Sequence, residues 1–342
     1  MCGGQKNMKL SVLVTFYNQE AYVDTTLESV FAQICDWDFE VLIGEDASSD
    51  HTMEKLMVWK EKYPDRIQIF TMERETGKKY NGSQRASRNR LNLLSHVTGE
   101  YFIFLDGDDF YVDKRKFQKQ IEILDKPENQ KYVACAHNVY EYDEKKGINR
   151  PFLKKNNILK LSGKTYWGRY YFHPDSIMFR SKYIEKVPRD IVNDYFNDNT
   201  ITFCFLKYGG IYYLPDIMAS YRQTGDGIWT GDSEFIGFLR NLMDLDLERK
   251  IAPEFWTYCL IRHWPDITYF FRHREVQKPE KIQFYQEKIQ KDHLKETKKW
   301  VAYNQGEAKC SPGMLWQYAK ATFLYVVYHV KWLVIDEWIR KN

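Results

Sequence analysis

Residues 101–111 read YFIFLDGDDFY: an apolar run stops, and Asp106, Asp108 and Asp109 follow within four positions. Like charges at that range repel, so the cluster costs stability unless a cation, a helix N-terminus or solvent offsets it. Asp106 and Asp108, separated by Gly107 at a strand tip, form a hard-oxygen set. Such a set suits Mn²⁺ or Mg²⁺ and leaves open positions for the oxygens of a diphosphate. The alternative is capping, with Asp109 or Asp113 starting a helix at Lys114. In GEDASSDHT, Glu45 and Asp46 follow an apolar run directly, so Asp46 can accept a hydrogen bond from a nucleobase N–H or a ribose hydroxyl. Asp50 acting as a helix cap would account for the same stretch without a ligand. In VTFYN, Thr15, Tyr17 and Asn18 lie at a strand end, where Tyr17 can stack on a base and Thr15 can hydrogen-bond it. Half-buried packing is the alternative for Tyr17.

These three stretches need a frame that brings them to one edge. Leu10–Asn18, Phe39–Asp46, the RIQIFT run, YFIFL and YVACAHNVY read as strands. Between them, helical spacing covers Glu20–Gln33, Thr52–Tyr63, a segment ending at Ser95 and about Lys114–Leu124. Alternating strands and helices build a parallel sheet buried on both faces, with the polar turns 15–18, 45–50 and 106–109 at C-terminal strand ends. Open sheets of this class bind ligands along that edge. No Gly-x-Gly-x-x-Gly follows the first strand and no Gly-Lys-Ser/Thr loop exists, which removes most support for dehydrogenase and P-loop readings. Beyond residue 145 the alternation becomes irregular. Asp175–Arg180 reads as a strand, 198–207 as a helix, Gly209–Asp216 as turn, strand, turn, and 279–299 as one polar, Lys-rich helix.

The chain of 342 residues, 44% hydrophobic and 28% charged, has the composition of a globular protein with room for a large core. Its six cysteines are scattered without CxxC spacing, which argues for free thiols and against a zinc site. The start, MCGGQKNMKLSVLV, fits a first strand better than a signal peptide, and its Gly does not follow Met1 as myristoylation requires. From Lys250 onward sixteen Lys and Arg face ten Asp and Glu, a local net of +6 against +3 for the whole chain. A basic, aromatic tail on a mildly acidic body suits docking on an anionic surface, a solvated helical face being the alternative. The last segment, from Met314, is apolar but interrupted by Lys320, His329, Lys331, Asp336 and Glu337, a poor membrane span. An interfacial helix fits better, with Trp316, Tyr325, Trp332 and Trp338 at headgroup level; packing on its own body or on a second subunit is the other reading.

The stretches VTFYNQEAYVDTTLESVFAQ, FEVLIGEDASSDHT, GEYFIFLDGDDFY and KFQKQIEIL occur in this order. Together they resemble a family 2 glycosyltransferase of the GT-A fold, particularly bacterial enzymes of surface-polysaccharide and O-antigen synthesis. The likeness is specific over about 8–145, looser to about 230 and absent beyond. It implies an α/β, Rossmann-like nucleotide-sugar-binding fold with a helical, basic-aromatic C-terminal extension. The implied division is 1–230, with 8–145 as donor half and 146–230 as acceptor half, and a helical 231–342 that meets a membrane surface or a second copy.

The resemblance also implies roles. Thr15, Tyr17, Asn18, Glu45 and Asp46 would hold the base and ribose. Asp106, Gly107 and Asp108 form the D-x-D, with Asp108 the direct metal ligand and Asp106 beside the ribose or a metal-bound water. Arg85 and Arg88, from GSQRASRNR, would meet the diphosphate, a solvated helix face being the alternative. The family carries an acidic pair ahead of a Gly-Gly…Tyr-Leu-Pro stretch; here FNDNTITFCFLKYGGIYYLPD keeps Asp198 but has Asn197 for the first acid. Asp198 would be the base, with Asp194 as an alternative and N-capping as its non-catalytic reading. His173 and Asp175 would border the acceptor, and Tyr221–Trp229 would close over the diphosphate. The Gln-x-x-Arg-Trp motif of processive synthases is absent. The expectation is a metal-dependent, inverting, non-processive transferase using a nucleotide sugar, UDP-linked by preference, and a glycan or lipid-linked glycan acceptor. It would work in the cytoplasm or peripherally at the inner face of the membrane, with no nucleic-acid partner. A sugar-nucleotidyltransferase and a non-catalytic docking protein of the same fold are the rivals.

Overall fold

The structure, a computed structural model, describes residues 8–72, 80–153, 159–224, 233–274 and 276–341. The chain divides into two compact units, Met1–Tyr166 with Tyr171–Thr230, and Trp167–Tyr170 with Gly231–Asn342.

The first unit opens with β1 (Leu10–Phe16), α1 (Val23–Phe31), β2 (Phe39–Glu45), α2 (Thr52–Lys62), β3 (Ile67–Thr71), α3 (Gly82–Leu94) and β4 (Tyr101–Asp106). A short β5 (Phe110–Tyr111), α4 (Lys116–Asp125), β6 (Tyr132–Asp143), β7 (Ile148–Pro151) and β8 (Leu159–Leu161) follow. Then come α5 (Gly163–Arg169), whose residues from Trp167 on count with the second unit, β9 (Met178–Arg180), α6 (Arg189–Val192), α7 (Asp198–Leu206) and β10 (Gly210–Gln223). The ten strands form one sheet in the order β3-β2-β1-β4-β9-β6-β10-β5, with β7 on β6 and β8 on β10. Strands β3, β2, β1 and β4 run parallel, as do β6 and β10; β9 is antiparallel to both β4 and β6.

Strands β1 and β2 are buried almost throughout, as strands covered on both faces must be. Alternation sorts their side chains. Val12, Val14, Val41, Ile43, Ile103 and Leu105 share a core with Leu27 and Val30 of α1 and with Phe117 and Ile121 of α4. On the strand β4, Phe102 stacks on Phe179 and meets Phe205 of α7, and Phe104 meets Phe196 just ahead of α7. Each such fully buried side chain contributes about 1.5–3 kcal/mol. Helix α3 starts at a capping box, Asn81 accepting from the Gln84 amide and Gln84 accepting from that of Asn81. It lies close against β2: a Cβ on Gly44 would sit 2.0 Å from Asn89 Oδ1, while Asn89 Nδ2 donates to the Gly44 carbonyl at 2.9 Å.

Three expectations change. The stretch read as turn, strand, turn over Gly209–Asp216 is part of one strand that continues to Gln223, because Pro215 and Asp216 fall in a bulge where β10 and β6 lose register; a residue without an N–H costs no ladder bond there. The strand read from Asp175 begins at Met178, because Pro174–Ser176 forms a 3-10 turn whose Ser176 hydroxyl donates to the His173 carbonyl at 2.6 Å. The single helix over 279–299 is two helices, as given next.

The second unit is helical: α8 (Glu234–Ile251), α9 (Trp256–Arg262), α10 (Trp264–Arg272), α11 (Pro279–Lys291), α12 (Lys295–Asn304) and α13 (Pro312–Lys341). His293 at φ +52° turns the chain between α11 and α12. A buried ion cluster pins α8 to the start of α10: His263 Nε2 lies 2.9 Å from Glu248 Oε1 and its Nδ1 2.9 Å from Asp266 Oδ2, while Trp167 Nε1 donates to Glu248 at 3.1 Å. The five described cysteines form no disulfide.

Candidate active site

Register brings the polar turns together. Thr15 stands between Gly44 of β2 and Asp106 of β4, and its hydroxyl donates to Asp106 Oδ1 at 3.1 Å. The Gly107 amide donates to the Thr15 carbonyl at 2.9 Å, and a Cβ on Gly107 would come within 2.3 Å of the Phe16 ring, so this turn needs glycine. Tyr17 is exposed beside it. Asn18, at φ +51°, ties the first loop to the second: its Oδ1 accepts from the Ser49 amide at 2.8 Å and its own amide donates to Ser48 Oγ at 3.0 Å. The buried Glu45 carboxylate accepts from the amides of Ala47 and Ser48 at 3.0 and 2.6 Å. This holds Ala47 at φ +54°, a conformation that costs energy for a residue with a Cβ. Asp50 accepts from the Thr52 and Glu20 amides at 3.0 and 3.1 Å.

Helix α3 supplies three arginines, each engaged with a carboxylate. Arg85 forks onto Asp46, Nε to Oδ2 at 2.7 Å and Nη2 to the Asp46 carbonyl at 3.0 Å. Arg88 donates from Nε to Asp194 Oδ1 at 2.9 Å and lies over the Tyr80 ring at 4.1 Å, while Gln84 Nε2 donates to Asp194 Oδ2 at 2.9 Å. Arg90, which sequence reasoning missed, is buried: its Nη2 donates to both oxygens of Asp106 at 2.8 and 2.9 Å, and its Nη1 lies 3.2 Å from Asp198 Oδ1. The two carboxylates hold the guanidinium protonated against the cost of burial. A signal was present: Arg90 shares its helix face with the buried Ser87 and Leu94. A cation on a core-facing stripe must be paired.

Asp198 opens α7 without capping it. Asn197 is the cap, its Oδ1 accepting from the Asn199 and Thr200 amides at 3.0 Å each. The Asp198 carboxylate instead reaches Arg90 and takes the Tyr171 hydroxyl at 3.4 Å. Burial pushes its pKa up, partly countered by Arg90 and reinforced by Asp106.

The remaining acids sit closer to the sheet. Burial, then the charge of Asp106, pushes the half-buried Asp108 carboxylate up to about 7, only partly countered by a backbone N–H and by Arg222. Asp109 is buried; its Oδ1 accepts from the Arg222 amide at 2.6 Å and its Oδ2 has no partner among the described residues. Burial and the neighbouring Asp175 raise it well above the carboxylate range. Asp175 Oδ1 accepts from the Asp106 amide at 3.3 Å, and its Oδ2 lies 3.2 Å from His173 Nδ1. Burial works against both charges, yet the pairing wins, lowering Asp175 and raising His173. One ligand atom from each of Asp109, His173 and Asp175 lies within 4.8 Å of the others. Arg222 locks this turn, donating from Nε to the Asp108 carbonyl and from Nη1 to Glu144 Oε1, both at 2.7 Å. Tyr221 packs on the His173 ring, centroids 4.3 Å apart. Residues 225–229 of the Tyr221–Trp229 stretch lie outside the described residues.

Thr15, Asp106, Asp175 and Asp198 thus form one connected network through Arg90, with Asp108 and Asp109 in the same turn. Glu45, Asp46, Asn18 and Arg85 form a second, adjoining one, and Arg88 is anchored to Asp194.

Over residues 11–187, slightly more than half its length, the chain matches the family described as Glycosyl transferase family 2. It is a member of that family. An uncharacterized protein of Mycobacterium tuberculosis is 27% identical over 222 residues, 64% of this chain and 60% of its own length. The match therefore spans less than two thirds of that relative. The poly(ribitol-phosphate) beta-N-acetylglucosaminyltransferase TarS of Staphylococcus aureus is 31% identical over 119 residues, 34% of this chain and 19% of TarS. The crystal structure of TarS 1–349 in complex with UDP superposes with a TM-score of 0.60 over 95% of this chain and 91% of that one, at 16% identity; the complex with UDP-GlcNAc gives 0.59. At that identity the likeness is one of fold, and the fold of this family 2 member is GT-A: α/β around a mostly parallel sheet, with a helical C-terminal region.

Proposed function

We propose that this family 2 glycosyltransferase moves one sugar per encounter from a UDP-linked donor to a hydroxyl of a glycan or lipid-linked glycan, inverting the anomeric centre, in the making of a bacterial surface polysaccharide. The observation that carries the reading is the arrangement around Arg90: one buried cation holds both the D-x-D carboxylate Asp106 and the helix-opening carboxylate Asp198.

In this reading Asp46, oriented by Arg85, accepts from the base or ribose, and Tyr17, exposed at the rim, stacks on the base. Asp198 takes the proton from the acceptor hydroxyl as that oxygen attacks the anomeric carbon on the side opposite the departing diphosphate. Its raised pKa brings it nearer to working pH, where a base is most effective, and Arg90 keeps it ionised and aimed. His173 and Asp175 border the acceptor. The residues fit a divalent cation: burial and Asp106 crowd the Asp108 carboxylate, and Asp109 Oδ2 is buried without a hydrogen-bond partner among the described residues, within reach of the His173–Asp175 pair. Asp108 would hold Mn²⁺ or Mg²⁺, with Asp106 or the Asp109–His173–Asp175 group beside it. What such a cation supplies is neutralisation of the charge that grows on the leaving nucleoside diphosphate.

A screen of nucleotide sugars with Mn²⁺, read by thermal shift and by hydrolysis without acceptor, tests the proposal. Stabilisation by UDP that needs the cation, and turnover of one UDP-sugar, is the expected result. Melting unchanged by every nucleotide would favour the docking protein instead.

A further inference from the structure

Helix α13 is bound to its own unit by one face only. Tyr318 stacks on Phe271 with centroids 4.1 Å apart, Tyr325 on Trp264 at 4.1 Å, and Trp264 Nε1 donates to Thr322 Oγ1 at 3.0 Å. Met314 and Ala321 are buried on the same face. Tyr325, expected at a headgroup level, is therefore a packing residue. The side chains of Trp332 and Trp338 lie outside the described residues.

The opposite face is apolar and open. Trp316 is 71% and Phe323 66% exposed, and Leu315, Val326, Val327 and Val330 are each about half exposed. Trp316, Phe323 and Val330 recur at seven-residue intervals with Val326 and Val327 between them, which lines them up along one side of the helix. An exposed apolar stripe of this length marks a contact surface. Between Pro312 and Lys331 the helix has no acidic residue and two lysines, Lys320 and Lys331, neither paired with a carboxylate among the described residues. A cleft of about 250 Å³ adjoins the N-terminal end of the stripe, lined among others by Trp256, Glu296, Lys299, Trp316, Gln317 and Lys320. Lys299 also pairs with Glu296 at 3.2 Å, and Gln317 Nε2 is buried without a partner among the described residues.

We infer that this face of α13 docks on an anionic phospholipid surface. The apolar stripe enters the acyl boundary, Lys320 and Lys331 meet the negative headgroups, and the cleft beside Trp316 receives a headgroup phosphate between Lys299 and Lys320. Charge chooses this occupant over a second copy: two copies would bring unpaired lysines together, whereas an anionic surface complements them. No helix among the described residues is long and apolar enough to cross a bilayer, so the contact lies in the interface plane.

The test is flotation of the full chain with vesicles of phosphatidylcholine alone and of phosphatidylcholine with 30% phosphatidylglycerol, at 0.1 and 1 M NaCl. Binding to the anionic vesicles that weakens with salt is expected. Lys320→Gln with Lys331→Gln should weaken it about thirty-fold, since each lysine near such a surface is worth about five-fold. Trp316→Ser with Phe323→Ser should weaken it at least ten-fold. Both pairs are exposed, so unchanged melting temperatures confirm that the fold is intact, and nucleotide binding should stay as in the parent, which separates this inference from the transferase reading. Absence of vesicle binding, equal binding by the parent and both variants, or a dimer in light scattering that Trp316→Ser with Phe323→Ser abolishes would each overturn it.

Discussion

Asp108→Asn should make the protein more stable and inactive at once. Burial and the neighbouring charge of Asp106 push the Asp108 carboxylate up to about 7. A raised carboxylate pKa means that the folded protein keeps a proton the unfolded chain has released. Its stability is therefore full below about pH 4 and is lost as pH rises through about 7. Three units correspond to about 4 kcal/mol at most. For a unit of roughly this size each kcal/mol moves Tm by about 2–4 °C, so the penalty is roughly 10 °C. The amide has the same shape and no charge. In thermal melts with a chelator from pH 4 to 8, the variant should match the parent at pH 4 and melt roughly 10 °C higher at pH 8. Mn²⁺ should raise the parent's Tm at pH 8 and leave the variant's unchanged, while sugar transfer by the variant is lost. Parent and variant curves that stay parallel across the whole range would refute the reasoning, because Asp108 would then carry no buried charge for a cation to relieve.

Three further outcomes are expected. Asp198→Asn should bind UDP-sugar within a few-fold of the parent while transfer falls by about 10²–10⁴-fold, as for loss of a general base; equal loss of binding and transfer in calorimetry and activity assays would move the base elsewhere. Arg90→Met leaves Asp106 and Asp198 facing each other without their shared cation, a change worth about 3–5 kcal/mol; Tm should fall by roughly 10 °C, and Arg90→Lys should recover part of the loss, whereas an unchanged Tm would mean the bridge does not form. In the C-terminal unit, burial would lower His263, but Glu248 and Asp266 outweigh it and raise its pKa to about 10. The stability this lends is full below about pH 6.5 and lost as pH rises through about 10; urea melts of His263→Gln and the parent should therefore converge at high pH, and a gap that persists would contradict the pairing.

The donor half was legible because its signals are local. β1, β2 and β4 are apolar runs that end in polar turns, acidic after β2 and β4, and their parallel register follows from the alternation with α1, α2 and α3. The helix at Asp198 was legible too, though the reason for Asn197 was not: it is the cap, which leaves the next carboxylate unused by the helix. What escaped depends on partners distant in sequence. Arg90 reads as one basic residue among several until β4 and α7 place Asp106 and Asp198 on either side of it. Arg85 reads as a phosphate ligand until the loop after β2 folds Asp46 onto it. Asp175 reads as part of a strand, yet its position is set by a 3-10 turn that aims it at the Asp106 amide. Pro215 looks like a stop, and only the bulge against β6 lets β10 pass through it.

The central claim is that the carboxylates at the C-terminal edge of β4 hold the diphosphate of a nucleotide sugar through a divalent cation. The direct measurement is a crystal structure with UDP and Mn²⁺, using the anomalous signal of manganese to locate the ion. The account predicts manganese on Asp108, bridging to both phosphates, with the uridine between Tyr17 and Asp46. Uridine bound elsewhere, or manganese away from the 106–109 turn, would contradict it.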